Sequence, residues 1–337
     1  MFDKCYLHIG LEKTGTTSIQ KFLHVNRSEL ELKGYFHPTS LEAPNNTALF
    51  VYAAEEDRIN DAHRIVRGRR GAEAFRPYLR ERLSAELSGK SGTLVLSNEH
   101  LHSEVRTIGA IQRVRELLAP HCGTIKVVAY LRRQDRVSVS QYSTGLKSGL
   151  QELPDVFKKV DEQLEYYFSY DKVLSNYSMV FGEENVCVRL FEKELLKDGD
   201  AVLDFCSVIG LTDFSWLQRS KQSNESLRPI ALRFLAEMNR HIPLVVNGTA
   251  NPLRMNIIRA IEEHYAGSGP IVSKDKALWF YSQFRESNEV VRKKYFPGQA
   301  RLFSDDFSMY QDVASAPDLT FEDAARMASI LLQNASD

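Results

Sequence analysis

The chain has 337 residues, 43% of them hydrophobic and 26% charged, with a formal net charge of −1. That length and composition fit a globular α/β chain with a large core. The even charge balance excludes a chain-wide basic surface for nucleic acid, so an anion site has to be built locally. Four cysteines, Cys5, Cys122, Cys187 and Cys206, are widely spaced and form no CxxC metal signal. They read as buried thiols in a reducing, cytoplasmic compartment. The first strand begins within five residues, which leaves no space for a secretory signal, and no apolar run reaches membrane-spanning length.

The apolar run Cys5 to Leu11 predicts a buried strand. Gly10 and Gly15 then frame a turn, and Thr16-Thr17-Ser18 opens a helix continuing through Ile19, Phe22 and Leu23. A strand, a glycine-framed loop and a helix N-terminus make an anion site, because loop and first-turn N–H groups converge with the positive end of the helix dipole. The Gly10-x4-Gly15 spacing resembles a nucleotide triphosphatase loop, but Thr16 stands where that motif has its lysine. The lysine here, Lys13, lies inside the loop.

Gly34 to Pro38 reads as a return turn or short strand, and Pro44-Asn45-Asn46-Thr47 as the entry to a helix. The charged segment from Arg58 to Arg70, with Arg64, Arg67 and Arg69, reads as a solvated face; a basic rim for an anionic acceptor is the alternative. Helical spacing runs from Ala72 to Leu87 and stops at Gly89. Thr93–Ser97 is a second strand ending in Asn98-Glu99-His100, and Ile108 to Leu118 is helical. Thr124–Leu131 is a third strand, followed by Arg132, Arg133 and a helix to about Lys147. Aromatic-rich helices are expected near 155–168 and 169–181, then a fourth strand from Asn185 to Phe191. Beyond Val202 the chain reads as helical, with turns at Gly210, Pro229, Pro243 and Gly267-Ser-Gly-Pro270. Strands alternating with helices imply a mostly parallel central sheet with helices on both faces. The expectation is one domain over 1–337, with binding motifs within 5–145 and a helix-rich C-terminal part over about 200–337.

The run Glu12-Lys13-Thr14-Gly15-Thr16-Thr17-Ser18 resembles the 5′-phosphosulfate loop of sulfotransferases that use 3′-phosphoadenosine-5′-phosphosulfate (PAPS). Their usual form is Pro-Lys-x-Gly-Thr-Thr, and Glu12 stands where the proline is common. The run Tyr130-Leu-Arg132-Arg-Gln-Asp-Arg136-Val-Ser-Val-Ser140 resembles the family's 3′-phosphate element, an arginine ending a strand and a serine eight residues later. Here Arg133-Gln134 replaces the common Asn-Pro or Asp-Pro, so either Arg132 or Arg133 could hold the 3′-phosphate, with Arg132 matching the spacing. The resemblance covers residues 5–25 and 93–145 and implies the P-loop NTPase-like sulfotransferase fold.

It also implies roles. Sulfuryl transfer puts negative charge on a bridging oxygen as the S–O bond to the nucleotide breaks, so catalysis needs a cation there and a base for the acceptor's proton. Lys13 is the implied cation. Lys13, Thr14, Gly15, Thr16, Thr17 and Ser18 are the implied 5′-phosphosulfate contacts, and Arg132 and Ser140 the 3′-phosphate contacts. An arginine fork offers two parallel N–H bonds to a phosphate, which a helix hydroxyl completes. Glu99 is the implied base, with His100 the second choice; capping a helix or pairing with an arginine is the bland alternative for Glu99. His8 reads as a core histidine. The scheme requires PAPS as co-substrate and no metal, and the acceptor is a hydroxyl, a glycan or glycolipid on the Ser97-x-Glu99 pattern.

Lys221 to Leu227 resembles a late loop that comes near the nucleotide in relatives, although Asn224 or Ser226 reads better as an N-cap for a helix starting near Pro229. Trp279, Phe280, Tyr281 and Phe284 read as helical core, with an acceptor groove as the alternative. Two other functions stay open: a kinase-type phosphoryl transferase using the 10–18 loop, and a nucleotide-binding protein that has lost turnover.

Overall fold

A computed structural model of the chain describes residues 1–55, 61–68, 70–151, 155–218, 226–246, 249–312 and 318–334. In chain order, β1 (Phe2–His8) leads through a loop to α1 (Thr16–Val25), α2 (Arg27–Leu32) and β2 (Tyr35–Phe36). Helices α3 (Ala48–Ala53), α4 (Asp61–Arg67) and α5 (Ala72–Leu87) precede β3 (Thr93–Ser97). The short α6 (His100–Ser103) and α7 (Ile108–Leu118) lead to β4 (Cys122–Leu131) and α8 (Gln134–Lys147). After α9 (Glu162–Phe168) and α10 (Tyr170–Phe181) comes β5 (Val186–Leu190), then α11 (Ala201–Val208) and α12 (Pro229–His241). A two-stranded ribbon, β6 (Val245–Val246) with β7 (Thr249–Ala250), separates α12 from α13 (Pro252–His264). The chain continues through α14 (Lys274–Ser282), α15 (Arg285–Tyr295) and α16 (Phe321–Asn334).

The central sheet has the order β2-β3-β1-β4-β5, and every pair in it is parallel. This is the expected α/β architecture with a helical C-terminal part. Toward their carboxyl ends β1, β3 and β4 are buried on both faces. Val95, Val128 and Tyr130 on one face pack with Ile19, Phe22 and Leu23 of α1 and Phe205 and Cys206 of α11. The alternate residues Cys5, Leu7, Leu94, Leu96 and Val127 are equally inaccessible, the pattern of a parallel sheet covered on both sides. Val128 and Tyr130 meet His8, whose ring lies edge-on to Tyr130 at 5.6 Å and bonds through Nδ1 to Ser97 Oγ at 2.8 Å. Burial lowers the His8 pKa to about 3, so it is a neutral core histidine, as expected.

Two compact units divide the chain: residues 1–132, 161–220 and 286–303 form one around the sheet, and 133–160, 221–285 and 304–337 form the other. In the second unit Leu146, Leu232, Leu235 and Ile261 bring α8, α12 and α13 together.

Some boundaries differ from expectation for identifiable reasons. The first strand ends at His8, three residues before Leu11. Gly10 sits at φ +84 and breaks the extended geometry, although Ile9 and Leu11 still donate to the carbonyls of Val128 and Tyr130. Residues 155–161 are not helical, and α9 starts where the Asp161 side chain caps Leu164 N–H. The N-cap of α12 is Arg228, not Ser226, because Pro229 fits the first helical position. Asn224 lies outside the described residues.

Candidate active site

The carboxyl ends of β1, β3 and β4 are where a parallel sheet binds ligands, next to the reversal in strand order. Here β1 is that central strand, with β3 on one side and β4 on the other. The loop after β1, the Asn98-Glu99-His100 tripeptide after β3 and Arg132 after β4 all stand at this edge in the sheet-bearing unit.

Two residues in the loop have left-handed backbones that matter. Lys13 has φ +67 and Gly15 φ +79. A non-glycine residue held there carries strain that its surroundings must over-determine, which is how sites present a side chain. Gly15 is the N-cap of α1, and its carbonyl accepts from Ser18 and Ile19 N–H. A Cβ at Gly15 would come within 2.8 Å of Ala201 Cβ and 3.3 Å of Phe191 Cε2, so the loop needs glycine there for space as well. The amides of Thr16 and Thr17 precede these first bonds of α1 and point with the dipole's positive end out of its N-terminus. Thr17 is exposed, Ser18 half-buried and Thr16 buried. Thr14 is fully buried and its hydroxyl donates to the Leu11 carbonyl at 2.5 Å, so that side chain closes the loop itself.

Arg132 donates from Nη1 to the Lys13 carbonyl at 2.8 Å. Its guanidinium carbon stands 5.5 Å from the centre of the Phe191 ring, the same ring that confines Gly15. Its own carbonyl accepts from Tyr170 Oη at 2.6 Å. The two sequence motifs thus meet at one place.

Glu99 follows β3, half-buried, and its Oε2 accepts from Gln20 Nε2 of α1. It occupies the N-cap position of α6 without capping it by its side chain. No arginine pairs with it among the described ion pairs. Gly10 makes this approach of β1 to β3 possible, since a Cβ there would lie 2.8 Å from Glu99 Cα. His100 is turned differently: its ring packs on Phe50 at 4.9 Å, and its Nδ1 is 3.8 Å from Glu12 Oε1. Glu12 also accepts from Tyr167 Oη at 3.4 Å. Burial first, and the Glu12 carboxylate second, push the Tyr167 phenol well above its ordinary pKa. His102 bonds through Nε2 to the Tyr167 carbonyl at 2.9 Å, and burial lowers its pKa.

Arg133 and Ser140 belong to the second unit. Arg133 is 1% exposed and its guanidinium is fully engaged. It pairs with Asp135 at 2.7 and 2.9 Å, donates from Nη1 to the carbonyls of Ser304 and Asp306, and lies 3.9 Å over the Phe307 ring. This is a structural arginine. Ser140 is half-buried on α8, and its carbonyl accepts from Thr144 Oγ1.

The basic segment splits in the same way. Arg67 is buried and donates to the Val51 carbonyl, Arg70 stacks on Tyr78 at 3.9 Å, and Arg64 is exposed. These arginines and His63 line a groove of about 720 Å³. Arg58 and Arg69 lie outside the described residues.

Gln20, Tyr167, Tyr170 and Phe191 were not singled out by sequence reasoning. Gln20 sits one turn into a helix with no motif around it, and the aromatics are indistinguishable in sequence from core residues.

What fold and site define is an α/β chain with a lysine-bearing loop at a helix N-terminus, a strand-end arginine and a strand-end carboxylate on one edge of a parallel sheet. No protein-family model matches the chain. It is 27% identical over 198 residues to an uncharacterized protein of Archaeoglobus fulgidus, covering 57% of this chain; the chain spans 52% of that curated relative, about half its length. Among solved structures it is similar to a sulfotransferase from Alicyclobacillus acidocaldarius, at 21% identity and a TM-score of 0.40, over 64% of this chain and 86% of that one. It is also similar to the sulfotransferase domain of the Synechococcus PCC 7002 olefin synthase, at 11% identity and a TM-score of 0.32, over 84% and 94% of the two chains. No helix among the described residues is long and apolar enough to cross a membrane.

Proposed function

We propose that the chain is a PAPS-dependent sulfotransferase that moves a sulfuryl group to a hydroxyl of a carbohydrate or glycolipid. The observation that carries this reading is the hydrogen bond from Arg132 to the Lys13 carbonyl, which joins the two motif segments at one sheet edge. The donor set fits the co-substrate's chemistry: a lysine, first-turn amides, threonine hydroxyls and a guanidinium all favour phosphate and sulfonate oxygens.

In this reading the α1 N-terminus with Thr16, Thr17 and Ser18 holds the 5′-phosphate, and Arg132 holds the 3′-phosphate. Glu99 accepts the proton of the acceptor hydroxyl as its oxygen bonds to sulfur. The bond from sulfur to the 5′-phosphate oxygen breaks with its electron pair remaining on that oxygen, and Lys13 neutralises the charge that collects there. Gln20 donates to Glu99 Oε2 and so orients the carboxylate, leaving Oε1 for the acceptor. His100, packed on Phe50 and facing Glu12, is the second candidate base. The protein's four free thiols fit a reducing, cytoplasmic setting.

The test is a thermal-shift comparison of 3′,5′-ADP with ATP and Mg²⁺. The 3′,5′-ADP should stabilise the fold and ATP much less, because only the first carries a 3′-phosphate. Ligand at about a hundredfold over Kd adds roughly 2.7 kcal/mol. Equal shifts with both nucleotides would overturn the assignment.

A further inference from the structure

The second unit contains a cavity of about 660 Å³ that none of Lys13, Glu99, Arg132 or Ser140 lines. That volume lies in the range of small-molecule sites. Its floor is apolar: Phe157, Leu232 and Val272 are 7%, 1% and 6% exposed. Phe157 is held flat by stacking on Phe280 at 5.0 Å, with 21° between the ring planes. Tyr142 lines the same cavity, and Trp279 stands beside it half in solvent, 52% exposed. An exposed tryptophan next to buried, fixed rings is a surface on which a flat ring system can stack.

The wall is also positively charged. Lys159, Lys276 and Arg233 line it against one described carboxylate, Asp155, which stands 3.7 Å from Lys276 with both groups largely exposed. Such an exposed pair contributes little and opens easily. Arg233 gives Nη1 to Asp318 Oδ1 at 2.6 Å, while its Nε is buried without a hydrogen-bond partner among the described residues. Two helix N-termini add to the same field: Pro229 at the start of α12 and Ser273, the N-cap of α14, both line the cavity.

We propose that this cavity is a binding site for a small aromatic anion, a flat ring system carrying a carboxylate, sulfate or phosphate group. The rings stack among Phe157, Tyr142 and Trp279, and the anionic group lies toward Lys159, Lys276 and Arg233. This site does not depend on the reaction proposed above.

The experiment is calorimetry on the full chain with three probes: naphthalene-2-sulfonate, naphthalene-2-methanol and decanoate. Naphthalene-2-sulfonate should bind about tenfold or more tighter than the neutral alcohol, the scale of one charge-assisted contact. It should also bind tighter than decanoate, and 3′,5′-ADP should not displace it. Lys159→Glu combined with Lys276→Glu should bring the sulfonate down to the level of the alcohol while leaving the alcohol unchanged. Lys158→Glu, an exposed neighbour that does not line the cavity, should leave both unchanged, with circular dichroism confirming the fold of each variant. The proposal is overturned if the sulfonate fails to bind or binds no tighter than the alcohol, if decanoate wins, or if 3′,5′-ADP competes. Equal loss in the Lys158→Glu variant would show long-range charge alone and overturn it as well.

Discussion

Arg132 holds Lys13 by its backbone: the guanidinium Nη1 donates to the Lys13 carbonyl at 2.8 Å, while Lys13 itself sits at φ +67. A left-handed lysine between buried Leu11 and Thr14 is a strained residue fixed by what surrounds it. One contact therefore connects the arginine after β4 to the presentation of the lysine after β1.

Arg132→Ala should weaken 3′,5′-ADP binding by about 1.5–3 kcal/mol, the range for a hydrogen bond to a charged group. Arg133→Ala should behave differently. It strands the buried Asp135 carboxylate, to which Tyr310 also donates, and should cost about 3–5 kcal/mol of folding stability. Calorimetry and urea denaturation on both variants separate the two effects. A folded Arg133→Ala protein that loses nucleotide, beside an unaffected Arg132→Ala, would reverse the assignment.

Gly10→Ala should destabilise by about 1–2 kcal/mol from its left-handed backbone alone. It should also reduce turnover, because the added Cβ would press on Glu99 Cα at 2.8 Å and shift the strand-end carboxylate. Gly34→Ala is the control: its φ is +81, but a Cβ there meets nothing within 4 Å. Gly10→Ala should lose more stability than Gly34→Ala, because the clash adds to the same backbone strain, and only Gly10→Ala should lose activity. Equal activities would remove the link between Gly10 and Glu99.

The sheet was legible because its signals are local. Thr93–Ser97 and Ile108–Leu118 fall where apolar runs and helical spacing place them. The carboxyl-edge loop was legible too, since Gly10 and Gly15 mark positive φ in sequence as in space. The first strand was read too long because Ile9 and Leu11 are buried like strand residues while Gly10 turns the backbone between them. Arg133 could not be told from Arg132 in sequence, because the carbonyls of Ser304 and Asp306 that capture it lie some 170 residues downstream, at separations of 171 and 173. The Gln20–Glu99 contact is equally invisible, joining two helix-entry residues 79 positions apart with no shared pattern. Periodicity reports burial; it does not report which polar side chains meet.

Asp204 gives the sheet-bearing unit an acid-sensitive contact. Burial would raise its carboxyl pKa, but hydrogen bonds from Arg189, Tyr130 Oη and Lys197 N–H outweigh that and hold it below the ordinary value. A folded-state pKa below the unfolded one stabilises above the unfolded value, near 3.9 for aspartate, and that contribution is lost as pH falls through the folded value. Asp204→Ala should therefore cost about 1–3 kcal/mol at neutral pH, and the gap to the parent protein should close below about pH 4. Urea denaturation across that range measures it. A gap that stayed constant with pH would mean that the loss is one of packing.

The lysine and the carboxylate separate chemistry from binding. Lys13→Ala should lower kcat on the order of 10²–10³ while changing 3′,5′-ADP affinity far less, because its main partner is charge that develops on the leaving oxygen only during transfer. Glu99→Gln keeps the bulk and removes the base, so kcat should fall with nucleotide affinity nearly intact. Gln20→Ala should give a smaller loss, since it removes the hydrogen bond that orients the Glu99 carboxylate but leaves the carboxylate in place. His100→Ala should cost less than Glu99→Gln, because its Nδ1 faces Glu12 and its ring is packed on Phe50. The measurements are PAPS turnover with an accepted sugar or alcohol and calorimetry with 3′,5′-ADP on the same proteins. If His100→Ala abolishes turnover and Glu99→Gln retains it, the base is the histidine, and the Glu12 carboxylate 3.8 Å from its Nδ1 becomes the group that orients it.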